Sequence, residues 1–263
     1  KKMDKILEDI VTKHNMKRNA TAIGSDEKDI VDTLLKYAEV DSSNDFYITI
    51  NQIKAIVLDL FSAGSETSSV IIDWVMAELL KNPRVMKKAQ EEVREACKGR
   101  SKIEEADIQS LQYLNLVIKE TFRLHPPVAL ITRLARKTCE INGYTIPANS
   151  RVMINAYALG RDPTIWTNPE CFQPERFEGS SIDIKGNNFE LLPFGSGRRI
   201  CPGIAFAMTS IELAVSQLLY HFDWKLAGGF KLEDLDMTET FASVTKKKSN
   251  LNVIATTRIP FQK

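Results

Sequence analysis

Apolar side chains along this sequence recur mostly three and four positions apart, which is the period of amphipathic helices. Between about Thr49 and Lys81 they cover several faces, and this predicts a long helix buried through the core. Asn82-Pro83 ends that helix and His125-Pro-Pro127 stops a later one, because proline cannot continue helical hydrogen bonding. Helices are therefore predicted over residues 1–18, 29–36, 49–81, 84–98, 111–122 and 204–220.

A smaller amount of β-structure is indicated by alternating positions and by turn residues. Asn142-Gly143 separates two short alternating runs, and both positions of such a turn favour positive φ, so a hairpin is predicted over residues 138–146. Residues 160–193 are rich in proline, glycine, asparagine and aspartate, and a loop of this length is usually functional or wrapped around something. The predicted fold class is mainly α with small β-sheets, with further strands at 151–155 and 251–256 and polar loops at 19–29 and 41–45.

Composition excludes several classes of function. Lysine plus arginine (35) nearly balances aspartate plus glutamate (34), so no overall field attracts nucleic acid and any recognition is expected to be local. The four cysteines form no Cys-x-x-Cys pair, which argues against a zinc site and against a dense disulfide framework. Asp59 and Asp73 interrupt the most apolar segment, so no membrane span is expected in this chain, and its first residues resemble neither a signal peptide nor an anchor.

One ten-residue stretch, Phe194-Gly-Ser-Gly-Arg-Arg-Ile-Cys-Pro-Gly203, has the composition of a metal-ligand loop, and we call it the cysteine loop. Its three glycines let the backbone turn tightly or approach a flat ligand. Cys201 stands just before a predicted helix, where backbone N–H groups favour an anion, so the residue is placed to be a thiolate and a metal ligand. The two adjacent arginines suit a ligand that also carries carboxylates.

Two less specific interpretations of the cysteine loop remain open at this point. Gly195-Ser-Gly197 could be half of a dinucleotide-binding loop, but Ile200 takes the place of the third glycine. Cys201 could be an ordinary buried thiol, which is the commonest role of a lone cysteine. The chain has three histidines, none of which is needed as a ligand, and all three are expected to be capped or packed: His14, His125 and His221.

The cysteine loop matches the haem-binding signature Phe-x-x-Gly-x-Arg-x-Cys-x-Gly, and on this ground the chain resembles the cytochrome P-450 superfamily. Residues 155–162 and 220–225 resemble its plant A-type group, near the seventy-one family. The resemblance covers essentially the whole chain but only the C-terminal half of the family's fold, so residues 1–263 are expected to be part of one haem-thiolate monooxygenase domain. It implies haem b, with Cys201 as the iron ligand, held by Arg133, Pro193, Phe194, Gly195, Arg199, Cys201 and Gly203.

A second segment, Ala63-Gly64-Ser-Glu66-Thr67, resembles the family's oxygen-binding groove in the long helix. The resemblance implies that Ala63 and Gly64 contact the bound group and that Glu66 and Thr67 are catalytic, delivering protons while the O–O bond breaks. A glycine within a helix costs on the order of 1 kcal/mol relative to alanine, which is understandable if a ligand lies against the bare backbone. Taken alone, the segment would be read as an ordinary helix-packing glycine and threonine.

Two more segments, Glu120-Thr-Phe-Arg123 and Pro174-Glu-Arg176-Phe177, resemble the family's Glu-x-x-Arg and Pro-Glu-Arg-Phe elements. A glutamate and an arginine three positions apart share a helix face, and in isolation such a pair is usually a solvated surface feature. The resemblance implies instead a buried triad of Glu120, Arg123 and Arg176 that fixes the cysteine loop. Arg133 resembles a haem-propionate ligand, although Thr132 stands where plant relatives usually place proline.

The resemblance implies a monooxygenase that inserts one oxygen atom from dioxygen into a small apolar plant metabolite, possible substrates being terpenoids. Electrons would come from NADPH through a reductase partner. The expected location is the cytosolic face of the endoplasmic reticulum membrane, through an anchor in the missing N-terminal half of the family's fold. The implied substrate-facing residues are Val128, Ala129, Ile131, Ala242 and Val244.

Two other functions stay open on the sequence. A haem-thiolate isomerase or dehydratase would rearrange peroxides without NADPH, and the acid–alcohol pair Glu66-Thr67 argues against it, because that chemistry needs no delivered protons. The second alternative is a non-catalytic fragment of such an enzyme, and the haem content of the purified chain would distinguish this fragment from an enzyme. The chain on its own is expected to be inactive.

Overall fold

A computed structural model describes residues 2–20, 29–38, 47–229 and 231–260. Helices are the main elements of these residues, and the strands form two-stranded antiparallel sheets, which confirms the predicted fold class. By its internal contacts the chain divides into two compact units, Lys1–Ser65 and Glu66–Lys263. Most of the polar loop predicted at 19–29 and the whole of that at 41–45 lie outside the described residues.

The first unit contains helix α1 (Lys2–Ala20), helix α2 (Ile30–Lys36) and the start of helix α3 (Ile50–Lys81), close to the predicted bounds. Asp29 begins α2 in a reciprocal cap, because its carboxylate accepts a hydrogen bond from the Asp32 N–H and its own N–H donates to the Asp32 carboxylate. The unit has a small core of its own, made of Val11, Val31, Leu35, Ile48 and Ile53.

The second unit is built around helices, most of which share one apolar core. Glu92 lies on helix α4 (Pro83–Ala96). Its carboxylate accepts hydrogen bonds from the N–H groups of Tyr113 and Leu114 and so caps helix α6 (Gln112–Leu124). After the rest of α3, the helices are α4 (Pro83–Ala96), α5 (Glu105–Ile108), α6 (Gln112–Leu124), α7 (Ala156–Leu159) and α8 (Ile204–His221).

The strands of the second unit are short and pair in antiparallel fashion. Asn142 and Gly143 both have positive φ, 49° and 82°, which confirms the predicted hairpin turn. The pairs are β1 (Leu130–Leu134) with β4 (Arg151–Asn155), β2 (Cys139–Ile141) with β3 (Tyr144–Ile146), β5 (Phe222–Leu226) with β8 (Val253–Thr257), and β6 (Glu239–Phe241) with β7 (Thr245–Lys247).

Helix α3 is not buried along its whole length, and the prediction that it is was wrong. Ile71 and Trp74 are fully buried, whereas Leu60 and Phe61 remain 39% and 68% exposed. By length and composition, α3 is the one helix of the described residues that could cross a membrane, with a mean hydropathy of 1.4 in an 18-residue window. Asp59 and Asp73 therefore do not prevent α3 from meeting the length and composition of a membrane span, and the likeness to a span is one of length and composition only.

The loop over residues 160–193, expected to be functional or wrapped around something, packs on side chains of its own. It contains one short 3₁₀ turn, Pro174–Phe177. Four of its apolar side chains form a buried cluster, against which Phe194 of the cysteine loop packs. The loop is thus a small packed structure that supports the cysteine loop, and the four side chains are Trp166, Phe177, Ile184 and Leu191.

Candidate functional site

The cysteine loop presents a half-buried thiol at the start of helix α8. The N–H of Cys201 donates to the carbonyl of Phe194 at 2.9 Å, which closes the loop. Gly203, the N-cap of α8, donates its N–H to the Cys201 sulfur at 3.4 Å. The sulfur therefore accepts one backbone N–H and, being half-buried, can still be reached by a ligand.

Two glycines of the cysteine loop require the backbone freedom that only glycine has. Gly195 and Gly197 have φ of 72° and 70°, a region that side-chain-bearing residues rarely adopt. At Gly195 space is also restricted, because an added Cβ would lie 3.3 Å from Nη2 of Arg133. The loop can therefore approach Arg133 closely only with glycine at this position.

Two arginines meet beside the cysteine loop. Nη2 of Arg133, from strand β1, donates to the carbonyl of Arg199 at 3.3 Å, and the Arg199 side chain is exposed. Thr132 lies within β1 opposite Met153, a paired position in a strand where proline would remove an N–H donor. The Arg133 guanidinium thus contacts the backbone of the cysteine loop, and two arginines at this loop suit a ligand that combines a metal with carboxylates.

The charged triad is brought together in a buried position. Glu120 and Arg123 have fully buried side chains and form a two-pronged pair, with N–O distances of 2.7 and 2.8 Å. Nε of Arg176 donates to the same carboxylate at 2.9 Å, and so does the N–H of Gln173 at 2.8 Å. Burial of one carboxylate between two guanidinium groups satisfies its hydrogen-bonding capacity.

The two arginines of the triad also hold the long loop. Arg123 donates to carbonyls of Gly160, Pro169 and Cys171. Arg176 donates to the Cys171 carbonyl and to two further carbonyls, those of Thr167 and Asn168. The triad therefore orders the backbone that carries the cluster under Phe194, and through that cluster it supports the cysteine loop.

The proposed oxygen groove lies on the continuous helix α3. Ala63 is exposed and Gly64 half-buried in the first unit, and Glu66 is exposed and Thr67 half-buried at the start of the second. The hydroxyl of Ser69 donates to the Glu66 carbonyl at 2.9 Å, a side-chain-to-backbone contact that tends to bend a helix. The segment is helical throughout, without a break at the glycine.

The predicted substrate-facing residues divide into two groups. Val128, Ala129 and Ala242 line a cavity of about 360 Å³, which we call the apolar cavity. Ile131 and Val244 are 7% and 4% exposed and point into the protein. Strand alternation accounts for Ile131, because neighbours in β1 point to opposite sides. The other lining residues, which the sequence did not indicate, are Pro127, Leu130, Asn155, Tyr157, Phe241, Ser243 and Thr245.

His125 is packed, as expected for the histidines, but its contacts were not foreseen. Its ring stacks on Trp74, with centroids 3.8 Å apart and an interplanar angle of 3°. Nε2 lies 2.8 Å from a carboxylate oxygen of Glu78 and Nδ1 lies 2.7 Å from one of Glu239. The partners are 47 and 114 positions away in sequence, so no local pattern could have found them.

Comparison with known proteins gives a consistent family. A family model described as "Cytochrome P450" matches residues 1–253. A melianol synthase of Citrus sinensis is 66% identical over 266 residues, covering 100% of this chain and 52% of the relative. A desmethyl-deoxy-podophyllotoxin synthase of Sinopodophyllum hexandrum is 51% identical over 257 residues, which cover 97% of this chain and 50% of the relative. A tabersonine 6,7-epoxidase of Catharanthus roseus is 49% identical over 254 residues, with the same coverage of 97% and 50%. The chain spans about half the length of the curated relatives it matches.

Proposed function

Because the chain belongs to the cytochrome P450 family, we propose that it forms the haem-binding part of a plant monooxygenase whose iron is held by Cys201. The observation that carries this proposal is the Cys201 thiol, which is half-buried and accepts a hydrogen bond from Gly203 in a loop flanked by two arginines. A buried structural thiol would need neither the sulfur-directed N–H nor the adjacent cations.

The side chains around the thiol fit a haem group. Arg133 and Arg199 would pair with its carboxylates, and the Gly195 backbone leaves room where a Cβ would crowd Arg133. Pro193, which is buried, and Phe194, which is half-buried, would bound the group on the protein side. When bound through a cysteine thiolate, haem supplies oxygen-activating chemistry.

Residues of helix α3 would manage oxygen and protons. Ala63 and Gly64 would offer small side chains and bare backbone to a flat group. The Thr67 hydroxyl, backed by the Glu66 carboxylate, would hold and pass protons to oxygen as the O–O bond breaks. This acid–alcohol pair favours oxygen insertion over peroxide rearrangement, because rearrangement consumes no protons.

We propose a small apolar substrate of the terpenoid class. The melianol synthase relative is 66% identical over the whole chain, more than the relative named for podophyllotoxin chemistry. The apolar cavity suits such a molecule, since Val128, Ala129, Leu130, Phe241 and Ala242 are among its lining residues. Electrons would come from NADPH through a reductase, at the cytosolic face of the endoplasmic reticulum.

Turnover under ¹⁸O₂ tests this function. The chain would be joined to the part of the Citrus sinensis relative outside the match, loaded with haem, and supplied with NADPH, a plant reductase and a terpenoid panel. We expect a product with a single ¹⁸O atom and NADPH consumption that depends on the reductase. A product formed without NADPH would instead identify an isomerase or dehydratase, and absence of any haem-dependent product would contradict the proposal.

A further inference from the structure

A buried ionic bridge joins three parts of the second unit that are far apart in sequence. His125 ends helix α6, Glu78 lies on helix α3, and Glu239 begins strand β6. All three side chains are nearly buried, at 6%, 8% and 8% exposure. We call these residues, with the stacked Trp74, the histidine bridge.

The hydrogen bonds of the histidine bridge depend on one another. A carboxylate only accepts hydrogen bonds, so both contacts of the ring form together only when each ring nitrogen carries a proton or when one carboxyl keeps its own. The second Glu78 oxygen accepts from Nδ2 of Asn82 at 3.1 Å. Trp74 and Glu78 are four positions apart on α3, so one helix face provides both the stacking surface and a carboxylate.

Other charged groups reinforce the histidine bridge. Nη2 of Arg161 lies 3.9 Å from the Glu239 carboxylate. Nζ of Lys247, on strand β7, lies 5.1 Å from the centre of the Trp74 ring. Removal of one partner from such a group leaves the others buried without compensation, so the geometry is held firmly.

The position of the bridge matters because it stands next to both walls of the apolar cavity. One wall begins at Pro127, two residues after His125. The other begins at Phe241, two residues after Glu239. Further contacts join the lining residues. The N–H of Thr245 donates to the carbonyl of Pro127 at 2.8 Å, and the N–H of Tyr157 donates to the carbonyl of Ala129 at 3.3 Å. The Tyr157 and Phe241 rings meet edge to face, with centroids 5.5 Å apart. The bridge therefore ties the start of each wall to the same helix.

We propose that His125 and Glu239 are positioning residues that fix the separation of the two cavity walls and thereby set the size of apolar ligand that the cavity accepts. This inference rests on the proposed function, in which the cavity holds the substrate. Neither residue lines the apolar cavity, so the effect on ligand size is transmitted through the strand and loop that follow them.

The test measures how ligand length governs affinity in the haem-loaded protein described above. The probes are imidazole and 1-alkylimidazoles from butyl to dodecyl, whose ring nitrogen binds iron and shifts the Soret band while the tail occupies the cavity. In Glu239→Ala the β6–β7 hairpin loses its tie to His125 and keeps its contact with Pro127, so we expect the cavity to widen. We expect the dodecyl-to-butyl affinity ratio to rise about tenfold, while the affinity of tail-free imidazole changes less than about twofold.

Matched variants distinguish a change in the position of the cavity walls from a general loss of folding. Glu239→Gln keeps the hydrogen bond to His125 and should keep the wild-type affinity ratio. Glu170→Ala removes an exposed carboxylate that pairs with Arg161 at 3.3 Å outside the bridge, and it should change nothing. If Glu239→Ala loses haem, Glu239→Asp carries the test, because it withdraws the carboxylate by one methylene and should shift the ratio in the same direction.

The outcomes separate the two proposals. An unchanged affinity ratio in a haem-loaded Glu239→Ala or Glu239→Asp protein overturns the positioning role and leaves the proposed function intact. An equal shift in Glu170→Ala overturns it as well. Absence of any imidazole-induced Soret shift in the unsubstituted protein overturns the haem assignment, and the positioning role with it.

Discussion

The carboxylate of Glu120 accepts hydrogen bonds from two guanidinium groups and one backbone N–H without contact with solvent. Arg123→Ala should therefore destabilise the protein by about 3–5 kcal/mol, because it leaves that charge buried with one partner fewer. The haem-loaded protein should also lose haem, since the triad orders the loop beneath Phe194. Urea unfolding and the haem-to-protein ratio measure the two effects.

Lys98→Ala is the matched control for Arg123→Ala. Lys98 is 77% exposed and lies 3.7 Å from Glu95, so its loss should change the free energy of unfolding by less than about 1 kcal/mol. A comparable effect of the two substitutions would show that the triad contributes no more than a surface ion pair.

Thr67 is half-buried on α3, next to the exposed Glu66. In the haem-loaded protein, Thr67→Ala should divert reducing equivalents to hydrogen peroxide, because proton delivery fails before the O–O bond breaks. Product per NADPH should fall by about tenfold or more, with haem content unchanged. Thr67→Ser, which keeps the hydroxyl, should restore coupling.

Ser69→Ala removes a hydroxyl from the same helix, two positions away, and should leave coupling unchanged. Normal coupling in Thr67→Ala would mean that Thr67 serves only in packing, and loss of coupling in Ser69→Ala would mean that uncoupling is not specific to the Thr67 hydroxyl.

At the scale of elements, Glu175 joins the 3₁₀ turn Pro174–Phe177 to helix α4. Its carboxylate accepts two hydrogen bonds from Arg84, at 2.7 and 3.1 Å, and one from the Tyr113 hydroxyl at 2.9 Å. Mainly through the Arg84 hydrogen bond, the pKa of Glu175 falls from its usual 4.5 to about 2.

This shift predicts a pH-dependent contribution to stability. A carboxyl with a lowered pKa stabilises the folded state fully above about pH 4.5, and that stability is lost as the pH falls toward about 2. Glu175→Gln should therefore cost roughly 1–2 kcal/mol near pH 6 and clearly less near pH 3.5. Urea unfolding at both pH values measures this, and an equal cost at the two would refute the shift. Glu178→Gln, exposed in the same loop, is the control.

The elements that local sequence determines were predicted well. Helix α3 begins one residue after the predicted start and ends at the predicted Lys81, because Asn82-Pro83 stops the helix locally. The β2–β3 hairpin follows from Asn142-Gly143, two positions that tolerate positive φ. The burial of α3 was predicted wrongly, because apolar composition does not say which faces find partners.

Strands that depend on distant partners were predicted only in part. The strands predicted at 151–155 and 251–256 are found as β4 and β8, but their antiparallel partners β1 and β5 were missed. The β6–β7 hairpin lacks an Asn-Gly type signal and is held partly by the contact of Glu239 with His125. For the candidate site, motif resemblance indicated the cysteine loop and the triad, whereas the histidine bridge depends on packing that no short motif encodes.

At the scale of the whole molecule, the chain carries exposed apolar surface. Phe61, Phe189 and Phe206 are each about two-thirds exposed, at 68%, 68% and 70%. Apolar surface of this kind favours association with other surfaces or aggregation. We therefore predict that the 263-residue chain alone is less soluble and binds haem less well than the chain joined to the rest of the Citrus sinensis relative.

Size-exclusion chromatography and the haem-to-protein ratio compare the two forms. A monomeric 263-residue chain with stoichiometric haem would contradict the prediction.

The central claim, that Cys201 holds haem iron in this chain, is tested most directly by the carbon monoxide difference spectrum of the reduced protein. The protein joined to the rest of the relative should give the red-shifted Soret band of a thiolate-ligated haem. Cys171→Ala and Cys139→Ala, which remove exposed thiols, should keep that band, and Cys201→Ala should lose it. Persistence of the red-shifted band in Cys201→Ala would contradict the account.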